Sequence, residues 1–306
     1  MTHSHHADID SIRAIPNPEE KVPEVAKPTL ALFVVSVSAW IASSALALTD
    51  SWPWPLTIVV NTIAAFALFT VSHDASHNSL STHSWVNLWI GRICMVTLSP
   101  LMGFRAFRFI HMQHHRFTNH DDGQDPDHYT MEGPRWQLPL RFLTLDFYYA
   151  TWYAPRFSSR PKQERVEVIV TTIVMGALIV GLILSGNFLI GCLVCWLVPA
   201  RLAVFILGWS FDYLPHHGLT ATPKDDKLKT TRNRIGLERL LTPLMLYQNY
   251  HLVHHLHPVI PFYRYIAVWR KNEGAYLAGD PSLSTAGGRP LTVEEYRELR
   301  KLTDPH

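Results

Sequence analysis

The sequence predicts an all-α membrane protein: four membrane-crossing helices beneath a polar helical cap. Three observations predict it. Of 306 residues, 47% are hydrophobic and only 17% charged, a balance that favours a lipid environment. Four apolar runs, 29–48, 56–72, 166–184 and 188–209, fall within the roughly 17–25 residues that cross a bilayer core. The cations are one-sided. Four crossings put residues 1–27, 73–165 and 210–306 on one side, and of the 27 lysines and arginines all but Arg201 lie there. The positive-inside rule makes that side cytoplasmic, with both termini on it.

Taken in order, residues 1–27 are polar and proline-containing and read as a disordered tail, with His3, His5 and His6 solvated. Nothing in them resembles a cleaved signal. Pro28 opens the first run, and the turn at 49–55 carries Trp52 and Trp54, which suit a membrane interface. The second run leads straight into HDASH (73–77). The patch 85–104 is broken by Gly91, Arg92 and Pro100, so it reads as an interfacial or re-entrant helix. FRAFRFIH, ending at His111, mixes Phe with Arg as a headgroup-level helix does. The aromatic stretch 135–157 reads as interfacial, at a substrate access route.

Ser185, Gly186 and Asn187 turn the chain between the third and fourth runs. The fourth carries Pro199 and Arg201 and ends in FDYLPHH (211–217). Arg201, the one cation within a run, reads as snorkelling or interhelical. Near the end, Thr292 and Glu295 have capping-box spacing. The organisation is a tail (1–27), a membrane domain (28–275) and a C-terminal tail with a short helix (276–306).

A net charge of +2 gives no reason to expect nucleic acid. Cys192 and Cys195 form a C-x-x-C inside an apolar run and, with Cys94, read as buried thiols without disulfides.

Histidine carries the chemistry. His111, His114 and His115 in HMQHH, and His251, His254 and His255 in NYHLVHHLHP, sit at i, i+3 and i+4, which is one helical face. His73 and His77 sit at i, i+4. Imidazole suits iron, zinc, copper and nickel, and eight such ligands point to two metals. No H-E-x-x-H motif supports zinc hydrolysis, and a metal sensor has little use for so many ligands. Two redox metals that activate dioxygen beside a bilayer suit attack on an unactivated lipid C–H bond.

On HDASHN, HMQHH followed by DPDH (125–128), FDYLPH and QNYHLVHHLHP, the chain resembles the membrane di-iron fatty-acid desaturase and hydroxylase superfamily over roughly residues 28–270. Within it, the chain is most similar to the bacterial β-carotene hydroxylases. The resemblance implies two iron ions held by His73, His77, His111, His114, His115, His251, His254 and His255. FDYLPH implies His216 as a ninth ligand, with His217 as the alternative. Asp212, Asn249, Asp125 and Asp127 are candidates to orient the imidazoles. The activity implied is dioxygen-dependent hydroxylation of the β-ionone rings of β-carotene; acyl-lipid desaturation and carotenoid ketolation are the rivals. Without a dinucleotide fingerprint, electrons come from a partner such as ferredoxin, which Arg232, Arg234 and Arg239 could receive.

Overall fold

The computed structural model describes residues 15–99 and 102–303. His3, His5, His6 and Pro100 lie outside them. Among the described residues, four helices are long and apolar enough to cross a membrane: α1 (Lys27–Leu48), α2 (Trp54–Ser76) and, after the cap elements between them, α7 (Lys162–Leu184) and α8 (Phe188–His216). Each begins at a proline, whose fixed φ and missing N–H suit a first turn or its cap, except α8. The second and fourth run past the apolar stretches read from sequence, so that α2 carries His73 in its last turn and His77 as its cap.

Between α2 and α7 lie α3 (Ser84–Val96), α4 (Phe104–Phe117), α5 (Leu138–Leu143) and α6 (Leu145–Tyr153), all too short to cross a bilayer. α3 and α4 meet closely because Gly91 is buried against the ring of Phe104, where a Cβ would collide. Arg201 finds a partner on α6: both carboxylate oxygens of Asp146 lie 2.5 and 2.6 Å from its guanidinium, and the Leu143 carbonyl accepts at 3.1 Å. The charge inside the fourth apolar run is thus an interhelical rivet.

After α8 come β1 (Asn233–Ile235), α9 (Glu238–Leu244), α10 (His251–Leu256), α11 (Tyr265–Lys271), α12 (Glu273–Ala278), β2 (Leu283–Thr285), β3 (Pro290–Leu291) and α13 (Val293–Thr303). The three strands form a small sheet in the order β1–β2–β3, parallel then antiparallel. It is an addition to the all-helical expectation. Tyr250, Trp269, Tyr276, Leu283 and Tyr296 share one core, with Trp269 stacked on Tyr276 at 4.9 Å. Residues 276–296 of the C-terminal segment therefore pack into the same core as the third histidine motif. Thr292 and Glu295 bond reciprocally at 2.9 and 3.2 Å to cap α13. Residues 15–26 lack regular structure but are held: the Ala26 N–H donates to the Leu80 carbonyl at 2.7 Å, and Arg264 pairs with Glu20 at 2.7 Å.

Candidate metal centre

Four elements deliver the histidines. α2 ends in His73 and His77, and α4 presents His111, His114 and His115. The chain reaches α10 through two consecutive left-handed residues, Leu246 (φ 44°) and Tyr247 (φ 68°), an uncommon conformation without glycine that turns it toward His251. α8 is α-helical over Val198–Leu207 and π-helical over Gly208–Tyr213. That widened turn resets the register in which Asp212 and His216 arrive, and such turns often mark functional sites.

Nine imidazoles converge in two groups. His73, His77, His111, His115 and His254 form one; His114, His216, His251 and His255 form the other. The groups abut, with the rings of His115 and His255 stacked at 4.2 Å. In the first group the Nε2 atoms form a row. His73 to His254 is 3.0 Å, His254 to His115 is 2.9 Å, His115 to His111 is 3.2 Å, and His111 to His77 is 2.8 Å. A neutral imidazole has one N–H, so linear hydrogen bonds cannot satisfy four such contacts along five atoms. Metal ligation can: two nitrogens about 2.1 Å from one ion and 90° apart lie about 3.0 Å from each other. In the second group, both ring nitrogens of His216 and Nε2 of His251 are buried without a hydrogen-bond partner. These orphaned atoms and the all-imidazole donor set fit two resident metal ions.

The electrostatics agree. Burial, followed by the neighbouring rings, holds His77, His111, His115, His251, His254 and His255 well below the usual histidine range, so they are neutral with free lone pairs. His114 departs from them. Burial opposes its charge, but Asp127 and Asp125 outweigh burial and push it up to about 9. Its Nδ1–H donates to Asp125 at 2.9 Å and lies 3.4 Å from Asp127, so a metal at Nε2 would displace the second proton.

Of the proposed orienting residues, Asp125 and Asp127 contact an imidazole. Asn249 does not: its amide reaches Thr242 at 3.2 Å and the Arg234 carbonyl at 3.5 Å. Asp212 bonds no imidazole; its Oδ2 is buried and unpartnered, and the residue lines a slot beside His73, His111, His114 and His251. Two orienting residues escaped sequence reading. Gln248 accepts from His251 Nδ1 at 2.7 Å, and the Tyr265 hydroxyl lies 3.0 Å from His254 Nδ1. Gln248 stands three residues before His251, a spacing that could have flagged it. Asp74 faces away from the rings and accepts from Thr29 at 2.9 Å and the Phe262 N–H at 3.2 Å, which ties α1 and the turn before α11 to the base of α2.

His216 joins the cluster, whereas His217 is exposed and stacks on Tyr213 at 4.5 Å. Arg232 and Arg234 are buried rather than free to dock a partner. Arg232 donates to the His217 carbonyl, and Arg234 to the carbonyls of Leu214 at 2.8 Å and Ala286 at 3.3 Å. They serve the unsatisfied carbonyls where α8 ends, which fixes His216. Arg239 is exposed.

The model of the family described as fatty acid desaturase matches residues 49–286, a span that contains all nine histidines. The chain belongs to the fatty acid desaturase family. Its relatives within this family include a dihydrorhizobitoxine desaturase of Bradyrhizobium elkanii, 30% identical over 76% of this chain and 72% of that enzyme. A chloroplastic sn-2 acyl-lipid omega-3 desaturase (ferredoxin) of Arabidopsis thaliana is 27% identical over 94% of this chain and 65% of its own length. A beta-carotene ketolase of a Paracoccus species is 28% identical over 78% of this chain and 91% of its own. Family membership makes this chain one of a group of oxidoreductases that includes desaturases and a carotenoid ketolase.

Proposed function

We propose that this desaturase-family chain hydroxylates the β-ionone rings of β-carotene, giving β-cryptoxanthin and then zeaxanthin. Each step converts a ring C–H, dioxygen, two electrons and two protons to C–OH and water. Two irons held by the five- and four-histidine groups would, when bound, supply the redox chemistry that reduces dioxygen and oxidises an unactivated C–H bond. The chain is a multi-pass membrane protein with centre and termini on the cytoplasmic side. Its electrons come from an external donor such as ferredoxin.

The observation that supports an oxygenated product over desaturation is Asp212. Its buried Oδ2 has no partner and faces the slot beside His73, His111, His114 and His251. A hydroxyl formed there would donate to it. An alkene brings neither donor nor acceptor and leaves this buried group unsatisfied, at a cost of about 1–3 kcal/mol. Tyr149, whose hydroxyl donates to Asp127 at 2.5 Å, lines the same slot and keeps that second carboxylate satisfied. Ring hydroxylation, rather than chain hydroxylation, rests on the likeness of FDYLPH and QNYHLVHHLHP to the carotenoid hydroxylases. Ketolation is the second reading, favoured by the match to nearly the whole length of a beta-carotene ketolase.

Co-expression with a β-carotene pathway, iron and a competent donor, followed by chromatography of pigments and acyl chains, decides between them. β-Cryptoxanthin and zeaxanthin are expected. A keto-carotenoid, or a new acyl double bond with β-carotene unchanged, overturns the proposal in favour of the corresponding rival.

A further inference from the structure

Three cavities share walls in series from the metal slot to the outer surface. The slot, about 20 Å³, is bounded by Phe69, Phe107, Tyr149 and Asp212. The same four residues bound an apolar chamber of about 50 Å³, walled also by Leu98, Leu145, Val204 and Leu207. Met95 and Met102 line that chamber and also an outer groove of about 380 Å³. The groove lies between α3 and α7 and is walled by Trp89, Val166 and Val170, which are 57%, 47% and 52% exposed.

The two ends of this series differ in stiffness. At the groove, Glu167 binds three ways: Arg92 donates to Oε2 at 2.6 and 2.9 Å, the Arg105 N–H donates to Oε1 at 2.9 Å, and the Arg105 side chain lies 3.2 Å from Oε2. That cluster rivets α3, α4 and α7 into a fixed frame. Among the described residues, the side chains that line both groove and chamber are two buried methionines, Met95 and Met102. Methionine is unbranched, with three rotatable bonds, and moves aside more cheaply than a branched or aromatic side chain. The groove opens on the same face of α7 that exposes Val166, Val170 and Ile173, a face made for lipid.

Resting on the proposed oxidation of an apolar substrate, we infer that the substrate enters sideways from the bilayer between α3 and α7 and passes the Met95–Met102 partition to reach the slot. The occupant is a long apolar chain or polyene dissolved in the membrane. A water-soluble, head-first substrate has no part in this route. Met95 and Met102 are specificity determinants, because the cross-section they admit limits what reaches Asp212.

The test uses the full-length, iron-loaded protein in phosphatidylcholine nanodiscs containing a phospholipid with a diazirine near the end of a C18 chain. It is irradiated without an electron donor, and the adducts are mapped by mass spectrometry. Adducts are expected at Val170 and Trp89 in the groove and at Val204 or Leu207 in the chamber. In Met95→Trp the chamber adducts should fall by about tenfold or more, the scale of one steric misfit, with groove adducts and bound iron unchanged. Val170→Trp, which plugs the mouth from the exposed wall of α7 and cannot disturb the core, should lower both sets. Chamber adducts that persist in both variants, or that form with no labelling of the groove, overturn the route. Labelling needs no turnover, so an inactive pigment assay would sink the proposed reaction while leaving this result standing.

Discussion

The four membrane-length helices fall into two pairs. α2 and α8 have 56% and 44% of their apolar windows buried; α1 and α7 have 17% and 11%. The inner pair ends in His73, His77 and His216, while the outer pair supplies no metal-centre histidine. Hydrophobicity does not separate them, because lipid is as apolar as a protein core and gives no reason to bury leucine. The extent of the buried face does. α2 buries Thr57, Asn61, Ala64, Ala65 and Ala67, and α8 buries Ala200, Ala203, Gly208 and Ser210. α1 buries only Thr29, Ser36, Ser43 and Ala47, a seam spaced seven, seven and four residues apart. α7 turns valine, isoleucine and leucine outward along its length. In this bundle the helices that position chemistry are those enclosed on most sides, and α1 joins them through a single seam of small residues.

The sharpest way to break the comparison is at the end of α8. His216→Ala removes one of four imidazoles in its group and should lower product formation by more than about 100-fold, exceeding the 10–100-fold typical of residues that only orient a ligand. Bound iron should fall from two per chain toward one. His217→Ala, one residue on but stacked outside on Tyr213, should leave iron content unchanged. Equal iron loss in both variants would mean that the end of α8 is not held in the register described. Next in size is Asp125→Asn, which weakens the acceptor for His114 Nδ1–H and should cost about 10–100-fold in metal affinity, measured by competition with a chelator. Asn249→Ala, at a residue that touches none of the nine rings, should spare metal affinity.

The four long helices and the eight motif histidines were legible because their signals are local: run length and i, i+3, i+4 spacing. The choice between His216 and His217 was not, since adjacent residues on a helix differ only by rotation, and the π-helical turn over Gly208–Tyr213 that sets the rotation has no composition signature. Tyr265 reaches its imidazole from a separate element, a contact that only the tertiary fold creates, whereas Asp125 was legible in the DPDH that follows HMQHH. Asn249 had the right neighbourhood in sequence but points to Thr242. Arg232 and Arg234 looked like surface cations because nothing in the chain announces that α8 ends against β1 and leaves carbonyls to be satisfied.

A third test concerns how the inner pair is anchored. Arg201 on α8 and Asp146 on α6 are both less than a quarter exposed and doubly bonded. Asp146→Ala strands a guanidinium among apolar side chains and should cost about 3–5 kcal/mol, seen as a lowered unfolding midpoint in detergent. Replacing both by apolar residues should recover most of that loss. If the double variant is as unstable as the single, the pair is not the source of the cost.

The smallest effect is expected on the outer pair, and it tests the comparison most directly. Ile173 on α7 is 64% exposed and Leu68 on α2 is fully buried, although both are aliphatic residues of similar size in membrane-length helices. Leu68→Ala opens a cavity within the buried cluster that also holds Val71, Phe104 and Phe107, so it should cost about 2–5 kcal/mol. Ile173→Ala removes a comparable volume where a lipid tail can fill the gap, so the transfer is from lipid to lipid. It should change stability by less than about 0.5 kcal/mol. Unfolding in bicelles, where acyl chains are present, reads both. An Ile173→Ala cost approaching that of Leu68→Ala would place α7 against protein instead of lipid, and the division into inner and outer helices would fail there.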